Sequence, residues 1–400
     1  MKTAATAHGT GKALVEPDWP PLTLEEVRAL LAQFPACREP IKILSVSPRP
    51  LSAASVVATT IGRIFVKRHH RRVRDREGLL EEHRFLAHLL AHAAQVPRVF
   101  ASVSGETAVE TGEWIYEVHE SPASLDLYED AHSWTPFFYA AHAYAAGQAL
   151  ARLHLASQGF QAPRRKQRPL VASFTIFAAQ NPGAEMDRYV AARPALAEYL
   201  RTRGCRDEAF GLLAPFHAEL VPLMPALTPL WTHNDLHASN SLWSNAGEDA
   251  HISAIIDFGL ADRTNAVHDL AHAIERNIVE WLALVEDPAH PEAVPVHLDH
   301  LHALLDGYES VRPLAAEEAA ALAPMTALCH AEFALSEADY FLDVLHSPEK
   351  AQRACEGWLV GHAHWFSSLA GKRLLDTIRD WSQARERQTM QFTRPRVGAR

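Results

Sequence analysis

The chain has 400 residues, 48% hydrophobic and 22% charged, the balance of a soluble globular protein with two or three core-forming units. A formal charge of −10 argues against nucleic acid or an anionic membrane as partner, and no apolar run approaches the roughly eighteen residues of a membrane span. Four cysteines (Cys37, Cys205, Cys329, Cys355) stand without C-x-x-C spacing, and the first residues lack an apolar signal-peptide core, so a reduced, cytoplasmic protein is expected.

Residues 1–20 are small and polar and end in prolines, which predicts a disordered lead. Leu22 to Phe34 has a helical pattern, with Thr23 as N-cap and Glu25 and Glu26 in the first turn. Ile41–Val46, Ala54–Thr60 and Arg63–Arg68 read as successive strands, and alternation puts Lys67 on the side of Phe65. Glu77 to Ala94 reads as a helix whose apolar stripe (Leu79, Leu86, Leu89) includes Glu82. A carboxylate in such a stripe needs a cation, and Lys67 is the expected partner. Val96–Ala101 and Glu113–Val118 predict two more strands; around His119–Pro122 the β pattern stops and a hinge is expected, with backbone near Val118 facing an adenine edge. The expected organisation is α+β: a lead and helix over 1–38, a β-rich lobe over 39–118, a hinge over 119–125, a helical lobe over 126–385 and a flexible tail over 386–400.

Beyond the hinge, Phe138–Ala156 is an Ala-rich helix, and 157–172 is a polar loop carrying Arg164, Arg165, Lys166 and Arg168. Several helices follow to Leu230, and a helix opens near Val267 with Asp269 in its first turn, placed to favour the helix N-terminus or to tie down the loop before it. Long helical patterns then cover His297–Val311, Ala315–Leu345 and Glu349–Trp381; Glu332, Ser336 and Asp339 within them are candidates for a substrate pocket.

The chemistry concentrates at His233-Asn-Asp235-Leu-His-Ala-Ser-Asn240 and Asp257-Phe-Gly259, an H-x-D-x-x-x-x-N followed by D-F-G. Between them Ser241–Ser244 reads as a strand, Asn245–Asp249 as a turn and His251–Ile256 as a second strand. A hairpin brings its feet together, so Asn240 and Asp257 stand side by side as hard oxygen ligands for a divalent cation, one short loop from Asp235. Phosphoryl transfer uses such a set: one Asp orients and deprotonates a hydroxyl, while Asn and a second Asp hold Mg²⁺ on the ATP phosphates. Either motif alone is common loop chemistry; together and joined by a hairpin they are specific. The rival is an iron site of His233, Asp235 and a distant His272, a chemistry usual in all-β barrels, whereas the chain after residue 260 reads as helical.

This set of residues resembles the aminoglycoside phosphotransferase/choline kinase superfamily over about residues 40–380. Lys67 matches its ATP lysine and Glu82, within Leu80-Glu-Glu-His-Arg-Phe-Leu86, its partner glutamate. Leu150-Ala-Arg-Leu-His154 looks like its Leu-Ala-x-Leu-His helix, and Asp269-Leu-Ala like the anchor after the metal aspartate. The resemblance implies a bilobal protein-kinase-like fold and ATP and Mg²⁺ as cofactors. It implies Asp235 as catalytic base, flanked in the catalytic loop by His233 and Asn240, and Asn240 and Asp257 as metal ligands. The loop over the nucleotide should lie near Pro48–Val57, which has no glycine; the hydroxyls of Ser52 and Ser55 are its candidate phosphate contacts. Asn234 replaces the glycine usual between His and Asp. Val66–Arg72 and Leu80–His83 look like the stress response kinase A branch, Gly307–Leu314 like the homoserine kinase branch. The expected acceptor is a small-molecule hydroxyl, as on an aminoglycoside, amino-alcohol or sugar. The alternatives are a bacterial protein Ser/Thr kinase and a nucleotide-binding pseudokinase.

Overall fold

The computed structural model describes residues 7–8, 14–37 and 39–393. Two short strands, β1 (Ala7–His8) and β2 (Leu14–Val15), pair antiparallel and are followed by helix α1 (Leu24–Leu31). The Thr23 hydroxyl accepts from Glu26 N–H while Glu26 accepts from Thr23 N–H, a reciprocal cap that starts α1 where expected. Next come β3 (Pro40–Val46), β4 (Ala53–Thr59), β5 (Gly62–His70), helix α2 (Arg76–Ala91), β6 (Val109–Thr111) and β7 (Trp114–Glu120). The five longer-range partners form an antiparallel sheet in the order β3-β4-β5-β7-β6, with Lys67 of β5 opposite Glu117 of β7. Phe34 of the turn after α1 and Val57, Val66 and Val118 of the sheet form one core under α1.

The expected strand at Val96–Ala101 is reduced to a single bridge, Val99 to His119; Pro97 lacks the N–H a ladder requires. The disordered lead is also corrected. Asp18 is buried, accepting from Lys350 Nζ at 2.6 Å and Tyr340 OH at 3.0 Å, and Trp19 stacks on His70 with ring centroids 4.8 Å apart. Residues 1–6 and 9–13 of that expectation lie outside the described residues.

The remainder is mostly helical. Helices α3 (Ala140–Ser157), α4 (Pro182–Ala191), α5 (Pro194–Arg201) and α6 (Cys205–Leu220) precede four short strands: β8 (Pro229–Thr232), β9 (Ser241–Trp243), β10 (Ile252–Ile255) and β11 (Asp262–Asn265). These pair antiparallel as β8 with β11 and β9 with β10. Helices α7 (Ala266–Ile278), α8 (Trp281–Glu286), α9 (Leu298–Glu309), α10 (Ala316–Leu328), α11 (Ala331–Asp339), α12 (Pro348–Gln352), α13 (Gly361–Ser367) and α14 (Leu369–Thr393) complete the chain. Two π-helical turns, Tyr340–Val344 and Arg353–Val360, interrupt the long patterns read in the sequence. Helix α14 continues through the first part of the expected tail; residues 394–400 lie outside the described residues.

Two glycines set the closest helix contact. A Cβ on Gly147 of α3 would stand 2.0 Å from the Leu304 carbonyl oxygen of α9, and one on Gly307 would stand 2.1 Å from that of Tyr144. The backbones of α3 and α9 therefore touch. No helix among the described residues is long and apolar enough to cross a membrane.

Candidate active site

Strand β8 delivers the chain into the loop 233–240. Asn234 sits at φ +63°, a conformation that favours glycine, and its side chain compensates by bonding locally. Its Oδ1 accepts from Thr232 Oγ1 at 2.8 Å and Thr264 Oγ1 at 3.0 Å, and its Nδ2 donates to Leu260 O at 3.1 Å. Asp269, in the first turn of α7, clamps the same loop: Oδ2 accepts from His233 N–H at 2.8 Å and Oδ1 from Asn234 N–H at 2.7 Å. His154 of α3 reaches the same carboxylate through Nε2 at 3.0 Å. Of the two roles open to Asp269, the loop tie is the one the contacts describe.

His233 uses both ring nitrogens internally. Nε2 donates to Ile256 O at 2.9 Å and Nδ1 accepts from Asp235 N–H at 3.2 Å. No lone pair remains for a metal, so the iron-triad alternative has lost its first ligand.

The β9–β10 hairpin joins its feet: Ile256 N–H donates to Asn240 O at 2.9 Å, and Asp257 follows in the left-handed region at φ +59°. Asn240 Nδ2 donates to Asp235 O at 2.9 Å and to Oδ2 at 3.3 Å. The other Asp235 oxygen, Oδ1, accepts from Arg276 Nε at 3.0 Å. Burial pushes the Asp235 carboxyl up to about 6, against the opposing pull of the Arg276 guanidinium. Burial alone would raise Asp257 as well, yet the Lys67 ammonium, 2.9 Å away, holds that carboxyl below the usual carboxylate range.

Lys67, Asp235, Asn240 and Asp257 line one cavity. Ser52 lines it too, beside Arg49, whose guanidinium donates to Ala131 O at 3.4 Å from the glycine-free loop between β3 and β4.

Three expected positions fall elsewhere. Lys67 is bonded to Asp257, not to Glu82, whose nearest cation is Arg165 Nη2 at 3.8 Å. Arg165 comes from the polar loop 157–172, which folds under α2 rather than into water; its side chain is fully buried. The carboxylate facing Lys67 across the sheet is Glu117, itself accepting from His69, His83 and His119 at 2.8–2.9 Å. Ser55 is fully buried within β4 and outside the cavity lining. Val118 is a core residue of β7, and its carbonyl already accepts from Phe100 N–H at 2.8 Å, because the strand runs on to Glu120.

The acceptor side was also misplaced. Glu332 accepts from the backbone N–H of Thr175 at 2.8 Å and Ile176 at 3.0 Å, Asp339 pairs with Arg193 at 3.5 Å, and Ser336 is fully buried. Glu337 takes the place expected of them: it lines the cavity, has an unpartnered buried oxygen, and is pushed up to about 7 by burial. Arg276 gave no sequence signal; it is wholly buried and lies 4.7 Å from the Trp134 ring centre and 4.8 Å from that of Phe333, both on the cavity wall.

The sequence profile described as the phosphotransferase enzyme family matches residues 52–314. The chain belongs to this family, and is a phosphotransferase acting on hydroxyl groups. Among solved structures, it is similar to an aminoglycoside phosphotransferase from Alicyclobacillus acidocaldarius, at 15% identity, 92% of this chain and 98% of that one covered, and a TM-score of 0.51. It is also similar to a microcompartment-associated aminopropanol kinase, at 17% identity, with 89% and 98% covered and a TM-score of 0.58. An amicoumacin kinase in complex with AMP-PNP, Ca²⁺ and Ami follows, at 14% identity, 85% and 93% covered and 0.54. At these identities the likeness is one of fold. A search of curated protein sequences finds no match to this chain.

Proposed function

We propose that the protein transfers the γ-phosphate of Mg²⁺·ATP to a hydroxyl of a small molecule. The observation that carries this reading is the convergence on one cavity of a buried carboxylate poised near neutrality, Asp235, and an ionised one, Asp257, held by a lysine. The donor set fits a hard cation. Asp257 stays anionic, and Asn240 spends its amide nitrogen on Asp235, which assigns its carbonyl oxygen to ligation. When bound, the ion would supply charge neutralisation on the phosphates. Lys67, with Arg49 and Ser52 across the cavity, fits the phosphate chain itself.

Asp235 Oδ2 accepts the proton of the acceptor hydroxyl as its oxygen attacks the γ-phosphorus, the bond to the β,γ-bridging oxygen breaks, and ADP leaves. Arg276 fixes the other carboxylate oxygen, so the base presents one face. Hydrogen bonds from Asp269 to the His233 and Asn234 N–H groups hold the loop in place, which pre-orients the base before the chemical step. The acceptor seat lies between Asp235 and a wall of Trp134, Phe333 and Glu337. An aromatic wall with a buried carboxylate supports an amino-alcohol or amino-sugar over a protein side chain. Cytoplasmic location, where Mg²⁺·ATP is available, is part of the same reading, and all four cysteines are buried thiols.

The test is phosphate transfer from labelled ATP to a panel of aminoglycosides, amino-alcohols, homoserine, sugars and a generic protein, with Asp235→Ala as control. Transfer to a small hydroxyl compound, lost in the control, is expected. Transfer confined to the protein acceptor, or unchanged in Asp235→Ala, would overturn the assignment.

A further inference from the structure

Behind the aromatic wall, two helices and a turn bring metal-ligating side chains to one point. Glu275 comes from α7, His330 from the turn between α10 and α11, and His362 from α13, and their ligand atoms lie within 4.8 Å of one another. His272, one turn before Glu275, and Cys329 form a second such triad on the same glutamate. All five are buried.

Hydrogen bonding leaves this cluster unexplained. No well-aligned hydrogen bond satisfies Glu275 Oε1, His330 Nε2, either nitrogen of His362 or Nδ1 of His272, although Oε1 lies 3.3–3.5 Å from two imidazoles. Buried polar atoms in folded proteins nearly always have one, and a cluster of orphans calls for an ion or water. The cluster around Glu117 is the internal contrast: there three imidazoles each bond the carboxylate at 2.8–2.9 Å, and nothing is missing.

The spacing discriminates further. Glu275 Oε1 stands 3.3 Å from His362 Nδ1 and 3.5 Å from His330 Nδ1. Ligands bound at roughly 2.0–2.2 Å around a tetrahedral ion stand about 3.4 Å from each other. The second glutamate oxygen, Oε2, is occupied by Arg276 Nη1 at 3.1 Å, which turns Oε1 toward the imidazoles. Trp281 stacks on His362 at 3.7 Å between ring centroids and fixes its plane.

We propose that Glu275, His330 and His362 hold one zinc-class divalent ion as a structural site. Two imidazoles select this class over Mg²⁺, so the site is distinct from the oxygen donors Asn240 and Asp257. The ion would fasten α7, the α10–α11 turn and α13 together. His330 Nδ1 now accepts from Arg276 Nη1 at 3.1 Å; ligation ends that bond and leaves the guanidinium to Glu275 Oε2 and Asp235. The ion thereby backs the residue that orients the proposed base, without touching substrate.

The experiment is elemental analysis of the full chain, produced in zinc-supplemented medium without a polyhistidine tag and desalted into Mg²⁺-containing buffer. About one zinc per chain is expected, falling at least tenfold in Glu275→Gln and in His362→Gln. Because either variant can fail to fold, the wild-type protein supplies the second measurement. A strong chelator should lower its melting temperature, and Zn²⁺ but not Mg²⁺ should restore it. Substoichiometric metal in a folded wild-type chain, with a melting temperature indifferent to chelator and Zn²⁺, would mean that buried water fills the cluster and would overturn the proposal. Neither readout depends on phosphotransfer.

Discussion

Asp235 combines two opposing influences: burial that resists its charge and an arginine that favours it. The balance near 6 has a kinetic sign. As the proposed base, Asp235 would work ionised, so kcat should fall as pH drops through about 6, well above the range of an ordinary aspartate. The stability sign is opposite. A carboxyl raised on folding contributes most to stability below its unfolded value and loses that contribution as pH rises through its folded one. The acid limb of the rate profile should therefore appear while the melting temperature at the same pH gives no parallel fall from this group. Asp235→Asn should lose roughly 10²–10⁴-fold in kcat with little change in Mg²⁺·ATP affinity, read by steady-state kinetics and calorimetry. Which residues were legible follows from what each depends on. Asp235, Asn240 and Asp257 are placed by a loop and a hairpin, so spacing alone locates them. Arg276 and Glu337 acquire their roles only when distant helices pack, and no local pattern marks them. Glu332, Ser336 and Asp339 are candidates only as polar residues within a helical stretch; in the structure they are buried and do not line the cavity, whereas Glu337 does. Glu82 lies in the apolar stripe as expected, but the cation nearest it is Arg165 at 3.8 Å rather than Lys67, reaching it from a polar loop that carries no local sign of the contact.

At the scale of elements, the α3–α9 crossing leaves no room for a methyl group. Gly147→Ala should cost about 3 kcal/mol or more, because the new Cβ meets backbone, which cannot rotate away; urea unfolding measures it. Gly307 opens the segment that looks like one kinase branch in sequence, and its contact with Tyr144 gives that glycine a packing role independent of substrate. Asp269→Ala would orphan two backbone N–H groups of the catalytic loop as well as His154. A loss of roughly 3 kcal/mol is expected, with kcat falling more than the affinity for Mg²⁺·ATP, since the loop carries the base. The long strands of the sheet and the capped first helix were readable from alternation and capping chemistry. Strands β8 and β11 were not: four residues each, with Pro229 in one and only polar residues in the other, they are held by the Thr232–Thr264–Asn234 hydrogen bonds. The π-helical turns were hidden as well, since a wider turn leaves the helical composition intact.

At the scale of the whole molecule, several contacts tie the sheet to the helical part across the cavity, and two of them carry predictions. One is the segment before α1. Trp19 stacks on His70 of the sheet while Asp18 bonds Lys350 and Tyr340 of the helical wall. Asp18→Asn should cost about 1–2 kcal/mol and raise KM for the acceptor, because Asp18 lines the same cavity; thermal melts and kinetics check both. The other link is Lys67 to Asp257. Each is the internal counterion of the other, so the resting site is already neutral at this point. A free cation arriving alone would have to displace Lys67, and a free triphosphate would have to displace Asp257, each stranding a charge. Arriving together, they exchange one matched pair for two. The site should thus behave as an AND gate: ATP in chelator, or Mg²⁺ without nucleotide, should bind at least about tenfold more weakly than the complex in calorimetry, and Lys67→Met should abolish that synergy.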